Sequence, residues 1–281
     1  VTVGKLLRYT MVHDFVAGDY MWTGIDYLGE ANWPQRSAGC GCLDTCGFEK
    51  DAFYFYKSVW NQKEKFAYLC PHWNLKLEKG TVLPVICYTN CEDAELFVNG
   101  RSFGVKSKGF PCYGMTERYG HFDRYRRPAN TDDLFLSWDV PFEPGTLEVV
   151  GYHDGKEVCR YVVETTGPAD SIELAVDQLS LSADGRSVAQ AEIRIVDREG
   201  RLVPDACPEL DFTLEGDGEI IGIDNGDPAC HEQWKEKMGR HAFNGMAYAV
   251  IRAGQNKGEL KLTVTSSDNT LTNASVTIQV G

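Results

Sequence analysis

Two dipeptides, Asn99-Gly100 and Asp154-Gly155, constrain this chain more than any other feature, because each interrupts runs of alternating apolar and polar residues. A type I′ turn needs positive φ at both central residues, which Asn, Asp and Gly adopt at low cost, so the flanking runs are expected to fold back as hairpins. The first joins Ala94 to Val98 with Arg101 to Val105, after an apolar run from Leu83 to Asn90. The second joins Thr146 to His153 with Lys156 to Glu164. Two hairpins at this spacing predict an antiparallel sandwich of about 100 residues, here residues 65–166.

Thr165-Thr-Gly-Pro-Ala-Asp170 then reads as a linker, punctuated by Gly167-Pro168. Beyond it, β-rich runs recur from Ser171 to Val176, Ala189 to Val196, Leu210 to Glu215, Ala247 to Arg252, Glu259 to Ser266 and Ala274 to Val280, which predicts a second sandwich over residues 167–281. Residues 1–64 differ in kind. They offer a helix from Lys5 to Phe15, a short strand-like run from Gly18 to Gly24, a Gly- and Cys-rich loop, and a second helix from Lys50 to Trp60. Asp51 lies in the first turn of that helix, where negative charge suits the dipole. One strand and two helices cannot enclose a core, so this segment must belong to something larger.

The formal charge of −13 disfavours nucleic acid, whose phosphates such a field repels, but does not penalise a neutral sugar. No apolar run approaches the roughly 20 residues that span a bilayer, so no membrane partner is expected. Ten irregularly spaced cysteines fit a reducing cytoplasm better than a disulfide framework. Cys40, Cys42 and Cys46 are spaced C-x-C-x3-C with no nearby His, a poor match for structural zinc, so they are read as buried thiols and no metal is expected.

Candidate ligand chemistry concentrates in Gly18 to Ser37. A sugar presents an apolar C–H face and a rim of hydroxyls, which an aromatic platform with nearby carboxylate and guanidinium groups satisfies. Trp22, at the end of the strand-like run, is the candidate platform. The basic, aromatic stretch Arg118 to Arg127 either holds an anion or substrate or, more commonly for such a loop, pairs with acidic surface. Asp224-Asn-Gly-Asp227 lacks the spacing of a calcium loop and reads as a tight turn. The scattered histidines, among them His231 and His241, show no pairing.

The run Tyr20-Met-Trp-Thr-Gly-Ile-Asp-Tyr-Leu-Gly-Glu30 is followed by Trp33-Pro-x-Arg36-Ser37, Leu43-Asp-Thr-Cys-Gly-Phe-Glu-Lys-Asp51, Tyr54-x-Tyr56-x-Ser-Val-Trp60 and Pro71-His-Trp-Asn74. In this order they resemble the end of the catalytic domain of glycoside hydrolase family 2, in its β-galactosidase-like subgroup. The similarity continues through Ala94 to Gly100, Gly222 to Pro228 and Ala242 to Gly245, so it covers essentially the whole chain. The resemblance implies a mainly β fold: two immunoglobulin-like β-sandwich domains preceded by the last strand and helices of a (β/α)8 barrel. It also implies a retaining glycosidase, in which one carboxyl protonates the leaving oxygen and a second attacks the anomeric carbon.

In the family both carboxyls are glutamates on earlier barrel strands, so no catalytic residue is expected here. Trp22 matches the Trp beneath the sugar, and Asp26, Glu30, Trp33 and Arg36 carry over as residues lining the site. Glu30 and Asp26 are rejected as surrogate acid and nucleophile, because the barrel that would orient them is missing. No cofactor is implied; the expected partner is a carbohydrate substrate. The resemblance leaves room for a homo-oligomer of the full-length enzyme, and the expected location is a bacterial-type cytoplasm. Two other readings stay open: a non-catalytic carbohydrate-binding or oligomerisation module, and a β-glucuronidase fragment. Against the latter, the loop Trp33 to Gly41 lacks the Asn-x-Lys pair usual in β-glucuronidases.

Overall fold

The computed structural model describes residues 3–13, 15–107, 134–233, 235 and 238–281. It divides into two compact units, one of Val1–Gly24 with Glu49–Thr165 and one of Ile25–Phe48 with Thr166–Gly281. The chain begins with α1 (Val3–Val12), β1 (Tyr27–Leu28), β2 (Ser37–Ala38) and α2 (Asp51–Trp60). Then come β3 (Ala67–Cys70), β4 (Val82–Thr89), β5 (Asp93–Val98), β6 (Arg101–Ser107), β7 (Leu136–Pro141), β8 (Thr146–His153) and β9 (Lys156–Glu164). The second unit continues with β10 (Ser171–Val176), β11 (Ser180–Leu181), β12 (Val188–Val196), β13 (Glu209–Glu215) and β14 (Gly218–Asp224). It ends with β15 (Gly239–His241), β16 (Met246–Ala253), β17 (Gly258–Ser266) and β18 (Ala274–Val280).

In the first unit both expected hairpins form. Asn99 and Gly100 have φ of 50° and 77°, and Asp154 and Gly155 have 49° and 70°, the left-handed pair that a type I′ turn requires. The hairpins lie edge to edge in a sheet ordered β6-β5-β8-β9, and β3-β4-β7 makes a second sheet. Alternate residues of each sheet enter one core: Ala94, Leu96 and Val98 from β5, Leu147 and Val149 from β8, and Val85, Cys87, Leu136, Trp138 and Val140 from β4 and β7. The period of two is what turns an alternating sequence into a one-sided apolar face. Each large aliphatic side chain so buried contributes about 1.5–3 kcal/mol before entropy is counted. Trp73 is fully buried in this core, and its indole N–H donates to the Glu143 carbonyl at 2.8 Å, so its one polar atom is satisfied.

α2 packs on this unit through Phe55 and Tyr56. The Tyr54 ring stacks on Tyr68 of β3 with centroids 3.6 Å apart, and the Tyr68 hydroxyl donates to Asp51 at 2.8 Å. Burial, followed by the charge and hydrogen bond of Asp51, pushes the Tyr68 hydroxyl pKa far above its usual value, so that hydroxyl remains a donor.

The sandwich of the second unit is built from two sheets, ordered β10-β12-β16-β14 and β11-β18-β17-β13-β15. Ile193 and Ile195 of β12 and Ile251 of β16 face Leu210 of β13, Leu260 and Leu262 of β17 and Ile278 of β18 within one core. The β17 residues Leu260, Leu262 and Val264 alternate with more exposed Lys261 and Thr263, as a strand with one covered face must. At the entry to this unit the buried Asp197 carboxylate accepts the N–H groups of Gly167 at 2.8 Å and Arg201 at 2.9 Å, together with the Arg201 guanidinium. It therefore ties the linker to the turn following β12.

The protein is thus mainly β with several sheets. Eleven expected strands recur with boundaries within a residue or two, whereas β1, β2, β3, β7, β11, β14 and β15 have no counterpart among the expected runs. The run Gly18 to Gly24 forms no strand in the structure. A strand exists by virtue of a ladder, and this run joins no sheet among the described residues. The stretch Arg118 to Arg127 lies outside the described residues. Among the described residues, no helix is long and apolar enough to cross a membrane.

Candidate functional site

The five residues singled out from sequence divide between the units. Trp22 belongs to the first, where its side chain is 73% exposed beside a fully exposed Tyr20. Asp26, Glu30, Trp33 and Arg36 belong to the second, on the loop of residues 25–48.

That loop is a built structure. β1 and β2 pair antiparallel, and a parallel bridge joins Ile25 to Leu43. Asp26 is buried; its N–H donates to the Leu43 carbonyl at 2.9 Å, and its Oδ1 accepts the Gly41 N–H at 2.6 Å. Gly41 lies tightly against the backbone around Asp26: a Cβ there would stand 2.3 Å from the Asp26 nitrogen and 2.6 Å from the Leu43 oxygen. Only glycine fits such a backbone approach. Asp44, also buried, accepts the N–H groups of Cys46 at 2.8 Å and Phe48 at 3.0 Å, which closes the far end of the loop.

The loop is seated on the sandwich of its own unit by charge. Asp224, at the end of β14, accepts at Oδ1 from Arg36 Nη2 at 2.7 Å and from Arg240 Nη1 at 2.7 Å. Arg240 is 2% exposed and also donates to the Glu232 carbonyl at 2.9 Å. The backbone reinforces the contact, since the Arg36 N–H donates to the Pro228 carbonyl at 2.7 Å. Gly226 in the intervening turn has φ of 76°, and a Cβ there would stand 1.9 Å from Asp44 Oδ2, so the tight turn expected at Asp224–Asp227 is present and lies against the loop. Burial, then the charges of Asp224 and Asp44, raise the Cys46 thiol pKa far above its usual value. For Glu232, burial alone would raise the carboxyl pKa; hydrogen bonds from the His241 N–H and ring, with the charges of His241 and Arg240, bring it below the usual carboxylate range.

What remains outward-facing is Trp33 and Glu30. Trp33 is 84% exposed, and its ring is backed by the imidazole of His231 at a centroid distance of 4.9 Å. His231 Nε2 lies 2.6 Å from the Pro34 carbonyl, which fixes the segment carrying Trp33. Glu30 has φ of 48°, and its carboxylate accepts the Tyr27 hydroxyl. This arrangement can offer an aromatic face and a carboxylate acceptor. Asp26 and Arg36 are committed to holding the loop.

From sequence Asp224 reads only as part of a turn, His231 only as one of the scattered histidines without pairing, and Arg240 carries no signal at all. No local pattern could have found them: Arg36 and Asp224 are 188 residues apart in the chain. The Cys40, Cys42 and Cys46 thiols do not gather as ligands. Among the described residues, the ligand-type side chains whose donor atoms converge within 4.8 Å are Glu92, His153 and Asp154, at the surface. Their proximity is explained by the β8–β9 turn, where the Asp154 N–H donates to Glu92 Oε2 at 3.1 Å and His153 Nδ1 faces Glu92 Oε1 at 3.2 Å.

Residues 172–277 match the model of glycoside hydrolase family 2 C-terminal domain 5, and residues 80–159 match a domain of unknown function. The chain is 38% identical over 264 residues to the β-galactosidase BoGH2A of Bacteroides ovatus, an alignment covering 92% of this chain and 28% of that protein. It is 31% identical over 257 residues to a putative β-glucuronidase of Formosa agariphila, covering 89% of this chain and 22% of the relative. The crystal structure of a β-glycosidase from Bacteroides vulgatus superposes with a TM-score of 0.84 at 30% identity, over 99% of this chain and 33% of that one. The chain therefore spans under a third of the length of these relatives. With a family 2 carboxy-terminal domain matched over residues 172–277 and the similarity to these relatives running along nearly the whole chain, the chain belongs to glycoside hydrolase family 2, whose carboxy-terminal portion it matches.

Proposed function

We propose that this chain is the carboxy-terminal part of a retaining glycosidase that hydrolyses terminal β-galactosides. In this reading residues 1–64 close a (β/α)8 catalytic barrel, residues 65–166 and 167–281 are immunoglobulin-like sandwiches, and both catalytic glutamates lie on barrel strands outside this sequence. The observation that carries it is the 38% identity to a β-galactosidase over 92% of the chain. The loop geometry supports a division of labour within residues 25–48: Trp33 and Glu30 meet the sugar, while Asp26 and Arg36 keep the loop in place; the role of Trp22 as platform rests on its motif alone. An exposed indole offers a flat apolar face to the C–H side of a pyranose, and a carboxylate accepts from its hydroxyls.

A β-glucuronide substrate is the second reading, favoured by the 31% identity to a putative β-glucuronidase. The full-length enzyme assayed on p-nitrophenyl β-galactoside and p-nitrophenyl β-glucuronide separates the two. Turnover of the galactoside at least tenfold faster in kcat/KM, with retained anomeric configuration by NMR, is the expected result. Faster turnover of the glucuronide, or inversion, would overturn it.

A further inference from the structure

Two thiols distant in sequence meet over one glycine. Cys91, just before β5, and Cys159, on β9, are 68 residues apart, yet their sulfurs stand 3.4 Å from each other. Between them runs β8, where Gly151 pairs with Ala94 of β5 on one side and with Cys159 on the other. A Cβ on Gly151 would come within 2.6 Å of both sulfurs, so the glycine provides the space in which the thiols meet. Cys91 is buried and Cys159 half-buried. The exposed Cys40 and Cys207 belong to the other unit.

We propose that Cys91 and Cys159 are a site of intramolecular disulfide formation, which bridges the approach to β5 to strand β9 across β8. A disulfide needs the sulfurs at about 2.05 Å, a closure of the kind that side-chain rotation supplies where no Cβ stands between them. The chemistry is thiol–disulfide exchange with a low-molecular-weight disulfide as oxidant. One cysteine thiolate attacks the oxidant, releasing the first oxidant thiol and leaving a mixed disulfide. The second cysteine thiolate displaces the second oxidant thiol, so two protein S–H bonds become one S–S bond and two oxidant thiols leave.

The timing follows from the surroundings. In the folded thiol form, the hydrogen bond with Cys91 and then burial hold the Cys159 thiol well above its ordinary pKa, so little thiolate is available to attack. The link therefore forms as the chain folds in an oxidising medium, and only slowly once the sheet has closed.

The test is made on the full 281-residue chain. It is refolded from denaturant either in excess dithiothreitol or in a mixture of oxidised and reduced glutathione, then alkylated, digested and analysed by mass spectrometry. After oxidative refolding, two of the ten thiols are lost to titration, and one linked peptide joins Cys91 to Cys159. Oxidant added to the already folded reduced chain produces the same peptide at least tenfold more slowly. The oxidised protein melts several degrees higher than the reduced one, and this difference vanishes in Cys159→Ser. Ten titratable thiols after oxidative refolding, or linked peptides distributed over other cysteines, would overturn the proposal. The wild-type thiol count and peptide map decide the matter even where a variant folds poorly.

Discussion

Asp224→Ala tests the seating of the loop on the second sandwich. The substitution removes the carboxylate that meets Arg36 and Arg240, both at 2.7 Å. The two guanidiniums differ in what they lose. Arg36 is 26% exposed and can recover hydration, whereas Arg240 is 2% exposed and keeps the Glu232 carbonyl as an acceptor. Removing one partner of a buried ion pair costs about 3–5 kcal/mol, because the charge left behind is uncompensated. The partial exposure of Asp224 places the expectation near the lower end, at about 3 kcal/mol. At roughly 2–4 °C per kcal/mol for a unit of this size, Tm falls by about 6–12 °C. Arg36→Ala removes the more exposed partner and costs only about 1 kcal/mol. The decisive comparison is Asp224→Ala with Arg240→Leu: once the buried charge goes as well, the double variant recovers stability relative to Asp224→Ala alone. Urea unfolding followed by far-UV circular dichroism reads all four proteins, with an unchanged m-value as the check that one transition is compared. A double variant no more stable than Asp224→Ala alone, or a loss below about 1 kcal/mol in Asp224→Ala, would refute the reasoning.

Three further expectations follow from other parts of the molecule. At Asp197, burial would raise the carboxyl pKa, but the Arg201 guanidinium and the N–H groups of Arg201 and Gly167 override it and lower the pKa strongly. This carboxylate therefore stabilises the fold fully above its unfolded pKa of about 3.9 and progressively less as pH drops below it; Asp197→Asn flattens that acid limb in a pH series of urea midpoints. Cys70, pushed up to about 12 by burial and then by Asp51 and Cys87, alkylates at least tenfold more slowly with iodoacetamide than exposed Cys40 and Cys207, as peptide mapping over time reads. Trp33→Ala in the full-length enzyme raises KM for a galactoside about tenfold, a loss of about 1.4 kcal/mol, with Tm unchanged because the ring is largely exposed; an unchanged KM removes Trp33 from the sugar site.

The sandwiches were legible in the sequence because their information is local. Alternation in Thr146 to His153 and the Asp154-Gly155 turn determine a hairpin without reference to anything distant, and the register follows from which residues are apolar. β14 escaped notice because a bulge between Ile220 and Gly222 breaks its alternation, and Gly218 and Gly222 weaken its strand signal. β3 escaped because four residues are too few to show a period. For the loop, residue types were legible but roles were not. Asp26 and Arg36 carry the chemistry of sugar contacts, yet each is committed to structure by a partner, Gly41 or Asp224, that only the folded chain reveals. Trp33 was named from its motif, while the His231 ring behind it comes from a segment almost two hundred residues away and left no trace in the local pattern.

The central claim is that this chain supplies a wall of a sugar site whose chemistry is performed by carboxylates elsewhere in the protein. Hydrolysis of p-nitrophenyl β-galactoside by the purified 281-residue chain, measured beside the full-length enzyme at equal molarity, tests it most directly. Robust turnover by the full-length enzyme with none by this chain is the predicted result; repeated turnover by this chain alone would contradict the claim.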